Sequence, residues 1–564
     1  MSLIPPDMTP VYKATIAKGT SAMRWQRPVY VDYLPPCNSN CPAGENIQAW
    51  LGLAQAGRYE EAWQKYMEEN PLPGTHGRAC YHPCESACNR KYLDQPVSIQ
   101  SLDRFLGDLA IAEGWKVRVG QPTGKRVLVV GAGPGGLSCA YQLMRMGHDV
   151  EIRDASPAPG GMMRYGIPAY RLPRDGLTQE IDRILAMGVK VTSNHRVDDV
   201  LAEKEAGRFD AVFLAVGAQV ANHLDIPAMD GGKMMHALTL LEQVELGHAP
   251  KLGRVVGIVG GGNTAVDAAR VARRLGAEEA VMIYRSDRQH MKAHPSEAME
   301  AFAEGVKVMW MSTVKQFGSD GITVEEMQLL PDGSGSIGTG RYEQLRTDSL
   351  VLAVGEHADV EFLKALPGIR IGRGDVVEVD NQMGIGQAGI FAGGDMIGGA
   401  RTMTTAVGHG KKAARNIDAW LRGAVFDKPP KHAVVPFEAL NLPVFLDAER
   451  RQQGEIPVDK RKGFEEVMAG LSESEARYEA RRCLSCGNCF ECDNCYASCP
   501  EQAIVKLGAG RFYRYDYDLC TGCAVCFEQC PCHAIEMRPE PAGAATTPAE
   551  SRETTMPTRF KVRP

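Results

Sequence analysis

Residues 125–136 read KRVLVVGAGPGG, a short β-branched run that turns at glycine and passes into an apolar helical stretch over 137–146. Strand, glycine turn and helix in that order form a dinucleotide-binding unit. Gly131 permits the tight turn, Gly133 lets backbone amides approach a pyrophosphate, and Gly136 allows close packing of helix on strand. The helix N-terminus then faces the phosphates. A second strand over 148–153 ends at Asp154, the acid expected to grip a ribose hydroxyl about 20 residues on. Cys139, inside the helix, reads as a small core residue. The unit predicts an α/β fold of Rossmann type.

The pattern returns at 254–265, RVVGIVGGGNTA, followed by a helix through Arg274 and a strand over 280–284 that closes at Arg285. An NAD-specific site places a carboxylate at that strand end, whereas a guanidinium suits a 2′-phosphate, which favours NADP. Arg288 belongs to the same basic stretch. As solvated charges these arginines would carry no such meaning, and Asp287 between them weakens the inference. Apolar strands at 209–217 and 348–355 both end in glycine and mark where the chain leaves and re-enters the first fold around the second. Two dinucleotide folds imply two nucleotides.

The C-terminal region writes one cysteine pattern twice. Cys489-x2-Cys492-x2-Cys495-x3-Cys499-Pro is followed by Cys520-x2-Cys523-x2-Cys526-x3-Cys530-Pro, a constant offset of 520 minus 489, or 31 residues. Three thiolates on one loop cap three irons of a [4Fe-4S] cube and the fourth comes from the other half. The expected sets are crossed: Cys489, Cys492, Cys495 and Cys530 for one cluster, Cys520, Cys523, Cys526 and Cys499 for the other. Structural zinc would favour separated C-x2-C pairs. The repeat resembles a bacterial two-cluster ferredoxin. Cys483, Cys486 and Cys532 are left without a role; the first two could serve a further centre or simply pack. Nicotinamides give hydride and clusters carry single electrons, so a flavin that converts one into the other is the simplest occupant of the first fold.

Composition bounds the rest. The chain has 564 residues, 60 of them glycine, and a net charge of -6, which argues against a nucleic-acid partner. Roughly three to five domains are expected at this length. No apolar run is long enough to span a bilayer, and residues 1–10 lack the basic and apolar regions of a secretory signal. Seventeen cysteines in such a chain suggest metal ligands rather than disulfides, in a cytoplasmic protein.

Most of the chain resembles the small (β) subunit of bacterial glutamate synthase and its relatives, among them the electron-bifurcating NADH-dependent ferredoxin:NADP oxidoreductase and the nucleotide-binding half of dihydropyrimidine dehydrogenase. The motifs are CNSNCPAG at 37–44, NPLPGTHGRACYHPCESACNR at 70–90, GAGPGGL at 131–137, PGGMMRYGIPAYRLP at 159–173, GGGNTAVDAAR at 260–270 and GIFAGGD at 389–395. The resemblance implies FAD on the first fold, held by Gly131, Gly133, Gly136, Asp154, Gly161, Met162, Arg171, Asp395 and Thr402. It implies NADP (or NAD) on the second, held by Gly261, Gly262, Asn263, Thr264, Arg285, Ala353, Val354 and Gly355. Ser286 stands where the family commonly has a second basic residue, and Lys292 compensates.

By the same resemblance the N-terminal domain is helical and carries iron-sulfur ligands. Relatives with two clusters there have a C-x2-C upstream, which this sequence lacks before Cys37, so its five thiols suffice for one cluster. Cys41, Cys80 and Cys84 would hold it, with Asp103, Cys37 or Cys88 as the fourth ligand. The expected order is an N-terminal helical iron-sulfur domain (1–122), an FAD-binding domain (123–245 and 346–425) with an inserted NAD(P)-binding domain (246–345), a linker ending in a helix over 464–482, a two-cluster α+β ferredoxin domain (483–537) and a disordered tail (538–564).

These readings make the chain an FAD-dependent oxidoreductase that moves electrons between NAD(P)H and [4Fe-4S] clusters, without an acid-base side chain; His290 and Glu297 read as surface polarity. The YDYD of 515–518 resembles the ferredoxin-like δ subunit of 2-oxoacid:ferredoxin oxidoreductases, which implies a thiamine-dependent partner enzyme; a soluble ferredoxin is the other candidate. The alternatives are a glutamate synthase β subunit and a non-catalytic electron carrier.

Overall fold

The structure, a computed structural model, describes residues 24–227, 233–333 and 335–541. The expectations for residues 1–10 and for the tail beyond 541 lie outside the described residues.

The first glycine turn sits in a five-stranded parallel sheet ordered Ile390–Ala392, Ala211–Leu214, Arg126–Val130, Asp149–Arg153, Lys190–Thr192. Val127, Val129, Val212 and Phe213 are all fully buried, as expected of strands covered by helices on both faces. One face is covered by two helices in close contact, Pro134–Arg145 and Met403–Leu421. Gly410 makes that contact possible: a Cβ there would lie 2.2 Å from the Gly135 carbonyl oxygen.

The second turn sits in its own five-stranded parallel sheet, ordered Lys307–Trp310, Glu279–Tyr284, Val255–Val259, Ser349–Leu352, Lys233–His236. Both outer boundaries of the inserted domain therefore move outward from the expected 246–345. Lys233–His236, with only two apolar side chains, is an edge strand whose pairing with Ser349–Leu352 is set by tertiary contact and leaves no pattern in the sequence. A three-stranded antiparallel sheet, Ser312–Gly318, Gly321–Leu329 and Ser336–Leu345, is appended.

The N-terminal region is helical. Pro36, Pro73 and Pro83 each open a helix, at the position where the missing N–H costs nothing. Helices Pro73–Ala79 and Ile99–Ala112 cross in backbone contact, since a Cβ on Gly77 would lie 2.2 Å from the Arg104 nitrogen and one on Gly107 2.2 Å from the Gly74 nitrogen. That crossing brings Cys80, at one helix end, beside Asp103 on the other helix. The domain is tied to the first sheet by Glu180, 1% exposed, whose carboxylate oxygens accept the Gly74 and Thr75 amides at 2.8 Å each.

The helix expected over 464–482 begins only at Glu473 and runs to Arg481. A capping box between Ser472 and Glu475 fixes that start, while the preceding stretch is extended and packed, with the Val467 amide donating to the Tyr170 carbonyl at 3.0 Å. The ferredoxin region follows. Its last strand, Ile535–Pro539, pairs antiparallel with Gln26–Tyr30 at the other end of the chain, so Arg538 and Pro539 are strand rather than tail. No helix among the described residues is long and apolar enough to cross a membrane.

Replacing Glu180 with alanine strands two buried amide donors and should cost about 2–5 kcal/mol. Glu180→Gln, which keeps one acceptor, should cost less. Denaturant midpoints of the two variants check this, and equal midpoints would contradict the role given to the carboxylate.

Candidate functional site

The two glycine turns open onto one continuous cavity of about 1340 Å³. On the first fold it is walled by Gly131, Gly133, Asp154, Gly161, Met162, Arg171, Asp395 and Thr402, and on the second by Gly261, Gly262, Asn263, Thr264, Arg285, Lys292, Ala353, Val354 and Gly355. Gly136 lies behind the wall, where a Cβ would meet the Gly131 carbonyl oxygen at 1.9 Å.

The first half fits a dinucleotide. Gly131 takes φ +103° and Gly161 φ +51°, and the bare backbone of Gly133 and Gly161 forms a trough that a Cβ on Gly161 would fill, 2.8 Å from the Gly133 Cα. Asp154 ends its strand as expected, and its carboxylate accepts the Ala132 amide at 2.5 Å and the Ser156 amide at 2.7 Å. Those bonds hold the acid against the turn and leave lone pairs for a ribose hydroxyl. Across the cavity Thr402 caps the 19-residue helix Met403–Leu421, accepting from the Thr405 amide at 3.2 Å, so the positive end of that helix opens on the site. Burial, and then the charge of Glu356, raise the neighbouring Asp395 carboxyl to about 6.

In the second half Arg285 is exposed on the wall, and among the described residues no salt bridge holds it. Asp287 is turned away: it accepts the His290 amide at 3.0 Å and meets the His290 Nδ1 at 2.7 Å. Arg288 does not line the cavity and stacks on Phe302, 5.9 Å from the ring centre. Asn263 links three elements, its Nδ2 donating to the Tyr81 hydroxyl at 2.6 Å and its Oδ1 accepting the His294 amide at 2.7 Å. Glu297, expected at the surface, is 5% exposed and ion-paired with Arg171, which also binds Asp267 at 2.7 Å. Burial holds the Glu297 carboxyl above its ordinary range, opposed by Arg171. The burial follows from helix Pro295–Ala303 packing over Arg171, a contact across 126 residues that local pattern does not reveal.

All the cysteines but Cys139 and Cys532 fall into four groups. In the ferredoxin region the 31-residue repeat is reproduced in backbone shape: Glu491 and Gly522 take φ +60° and +73°, Asp493 and Ala524 both +66°, Gln502 and His533 +50° and +59°. Equivalent amides, Ala503 and Ala534, donate to the sulfurs of Cys499 and Cys530 at 3.3 Å each. One cavity is lined by Cys520, Cys523, Cys526 and Cys499, a crossed set. Cys530 acts electrostatically on Cys492 and Cys495, the other crossed set, and Cys532 lies 3.9 Å from Cys530.

The five N-terminal thiols divide. Cys41, Cys80 and Cys84 interact with one another and with Asp103, which is pushed well above the carboxylate range by burial and by Glu45 and Glu85. Asp103 Oδ1 is buried without a hydrogen-bond partner, as a metal-directed oxygen would be. Glu45, not singled out from the sequence, shares this pocket. Cys37 and Cys88 instead line a separate cavity together with Cys483 and Cys486. Cys41, Cys80 and Cys84 do not line that cavity. Among the described residues no three or more His, Cys, Asp or Glu converge as they would on a single ion, whereas a cube spreads its ligands over four irons.

The Cys80 group adjoins the nucleotide cavity, because Ala79 and Tyr81 on either side of Cys80 both line it. Thr404, two residues beyond Thr402, donates to the Cys80 sulfur at 3.1 Å.

Residues 125–410 match the family described as pyridine nucleotide-disulphide oxidoreductase. Residues 20–115 match dihydropyrimidine dehydrogenase domain II, 4Fe-4S cluster, and 513–536 a 4Fe-4S binding domain. The NADP(+)-dependent formate dehydrogenase subunit beta of Moorella thermoacetica is 35% identical, over 80% of this chain and 70% of that one. The NADPH-Fe(3+) oxidoreductase subunit beta of Geobacter sulfurreducens is 33% identical, over 80% and 75%. The glutamate synthase [NADPH] small chain of Escherichia coli K12 is 30% identical, over 69% and 89%. The expected fold class and the expected resemblance both hold, with an FAD/NAD(P) core flanked by 4Fe-4S domains. The chain belongs to the pyridine nucleotide-disulphide oxidoreductase family and is an oxidoreductase with iron-sulfur domains on both sides of its nucleotide-binding core.

Proposed function

We propose that this chain is the NADP-linked electron-transfer subunit of a larger oxidoreductase, passing electrons between NADPH and [4Fe-4S] clusters by way of FAD. The observation that carries the reading is the single cavity that joins both glycine turns and is walled by both chain neighbours of Cys80. A flavin bound there exchanges electron pairs with a nicotinamide and single electrons with clusters. The chain supplies position and charge. Gly131, Gly133 and Gly161 give the first nucleotide a backbone trough, Asp154 takes a ribose hydroxyl, and the helix beginning after Thr402 directs its positive end at the flavin. Arg285 and Lys292 hold the 2′-phosphate, with Asp287 hydrogen-bonded to His290 and Arg288 uninvolved. Arg171, paired with Asp267 and Glu297, fixes the second fold against the first and is a positioning residue. Cys41, Cys80, Cys84 and Asp103 hold the cluster beside the flavin, and the two crossed cysteine sets hold the ferredoxin clusters.

The beta subunits of NADP(+)-dependent formate dehydrogenase and NADPH-Fe(3+) oxidoreductase match more of this chain than the glutamate synthase small chain does, 80% against 69%. That difference favours a partner of dehydrogenase type over an amidotransferase. The 2-oxoacid oxidoreductase partner rested on the YDYD segment, whose aromatic residues are used internally. Tyr515 stacks on Tyr30 at 4.6 Å between ring centres and the Tyr517 hydroxyl donates to the Pro28 carbonyl at 2.8 Å.

In anaerobic titration NADPH should bleach the flavin and then the cluster absorbance, and failure of both NADPH and NADH to do so would sink the reductase reading. Arg285→Ala and Lys292→Ala should each raise the KM for NADPH about 10- to 100-fold, the value of a lost charge-assisted hydrogen bond, and leave that for NADH nearly unchanged. An equal loss for both nucleotides would remove the 2′-phosphate assignment. Gentle anaerobic purification should recover the chain with a catalytic oxidoreductase subunit in stoichiometric amount. Recovery of the chain alone, active on a soluble ferredoxin, would refute the larger assembly.

A further inference from the structure

Cys37, Cys88, Cys483 and Cys486 line one cavity, although the second pair stands some four hundred positions along the chain from the first. Its atom-free space, part of it open to solvent, is about 350 Å³, close to the about 320 Å³ beside the crossed set Cys499, Cys520, Cys523 and Cys526. All four thiols are free. They do not converge on one point as ligands of a single ion do.

The backbone around the second pair matches that of the two ferredoxin loops. In those loops the residues two and four places after the first cysteine are left-handed: Glu491 and Asp493 at φ +60° and +66°, Gly522 and Ala524 at +73° and +66°. Counted from Cys483 the same positions are Ser485 and Gly487, at φ +51° and +75°. Three of these six are neither glycine nor asparagine or aspartate, the types that tolerate this region, so each loop is held there by its surroundings. The Ser485 amide donates to the Cys483 sulfur at 3.4 Å, and the Asn89 side-chain amide to the Cys486 sulfur at 3.5 Å. Arg90, 2% exposed, also lines the cavity and brings positive charge to a group of four sulfurs.

We propose that Cys37, Cys88, Cys483 and Cys486 bind a further [4Fe-4S] cluster, built jointly by the N-terminal helices and the segment that leads into the ferredoxin region. The cluster lies between the others. Cys37 and Cys41 are joined by one turn of backbone, the Cys41 amide donating to the Cys37 carbonyl at 3.1 Å, and Cys84 lies in the short helix Pro83–Ala87 that Cys88 caps. The joint site is therefore one turn of backbone from the group beside the flavin at both Cys37 and Cys88. Cys486 stands three residues before Cys489, the first ligand of the next set. The site closes the gap between the flavin-proximal cluster and the ferredoxin clusters, and it assigns the two cysteines that sequence reading left without a role.

The test is iron, sulfide and zinc analysis of the anaerobically prepared full-length protein, with Mössbauer spectra. The intact chain should hold about 16 irons, four cubes, against about 12 without this site. Cys37→Ser and the pair Cys483→Ser with Cys486→Ser should each lose about four irons while keeping the flavin, whereas Cys532→Ser, beside a cluster but outside the four, should lose none. About 12 irons in the intact chain, or one zinc in place of four irons, overturns the proposal even where the variants do not fold. The inference rests on the iron-sulfur part of the proposed function and not on nucleotide reduction. A chain with about 16 irons whose flavin no nucleotide bleaches would keep the site and lose the reductase reading, and the reverse result would do the opposite.

Discussion

The arrangement of this molecule depends on a buried guanidinium. Arg482, 2% exposed, follows the helix Glu473–Arg481 and precedes Cys483; its Nε donates to the Ala448 carbonyl at 3.0 Å, and its Nη2 to the Gln95 carbonyl at 2.6 Å and the Asp94 carboxylate at 3.0 Å, with Glu479 completing the shell. A charge so far from water is tolerated only when every donor is matched; removing one partner of such a pair costs about 3–5 kcal/mol. These bonds bring the linker and the Cys483 loop onto the N-terminal helices. They are the reason that a segment with little periodicity, rich in proline and charge, is ordered.

Electron flow follows from that closure. A hydride needs the nicotinamide laid against the flavin, and the single cavity provides the contact surface. Single electrons need centres close to one another, and the proposed ligands stand a few residues apart along the chain: Ala79 and Tyr81 at the cavity wall with Cys80 between them, then Cys41 and Cys37, Cys84 and Cys88, and Cys486 and Cys489. The aromatic stack of Tyr30, Tyr515 and Tyr517, with centroid separations of 4.6 and 6.0 Å, joins the N-terminal strand to the ferredoxin region.

What was legible in the sequence is what local constraint writes. Glycine turns between strand and helix, the acid after Ile152, the basic strand end at Arg285 and the cysteine repeat each bind a residue type to a conformation within a few positions, and the structure reproduces the repeat down to its positive φ angles. What was not legible lies at long range. Lys233–His236 joins the second sheet by pairing with a strand more than a hundred residues on, Glu297 is buried by a contact with Arg171, and Cys37 and Cys88 line a cavity with Cys483 and Cys486, some four hundred residues away. Cys483 and Cys486 stand some four hundred residues from Cys37 and Cys88, so no local spacing joins the two pairs.

Magnitudes also decide what a shared cluster would contribute. In the chain-entropy picture, a link that closes a loop of 483 minus 88, or 395, residues would stabilise the fold by about 6 kcal/mol. Yet Gln26–Tyr30 already pairs with Ile535–Pro539, and Arg24 binds Glu540 at 2.7 Å, so that loop is closed before any iron arrives. That pairing still leaves 7 residues from Tyr30 to Cys37 and 52 from Cys483 to Ile535, a loop worth about 4 kcal/mol in the same picture, but Arg482, next to Cys483, is already bonded to Asp94 and Gln95, six and seven residues from Cys88. The four cysteines are thus poorly explained as a staple. Their arrangement makes sense as a relay whose ligands come from both domains that it connects, held at fixed separation by strand pairing and by Arg482, neither of which contains a thiol.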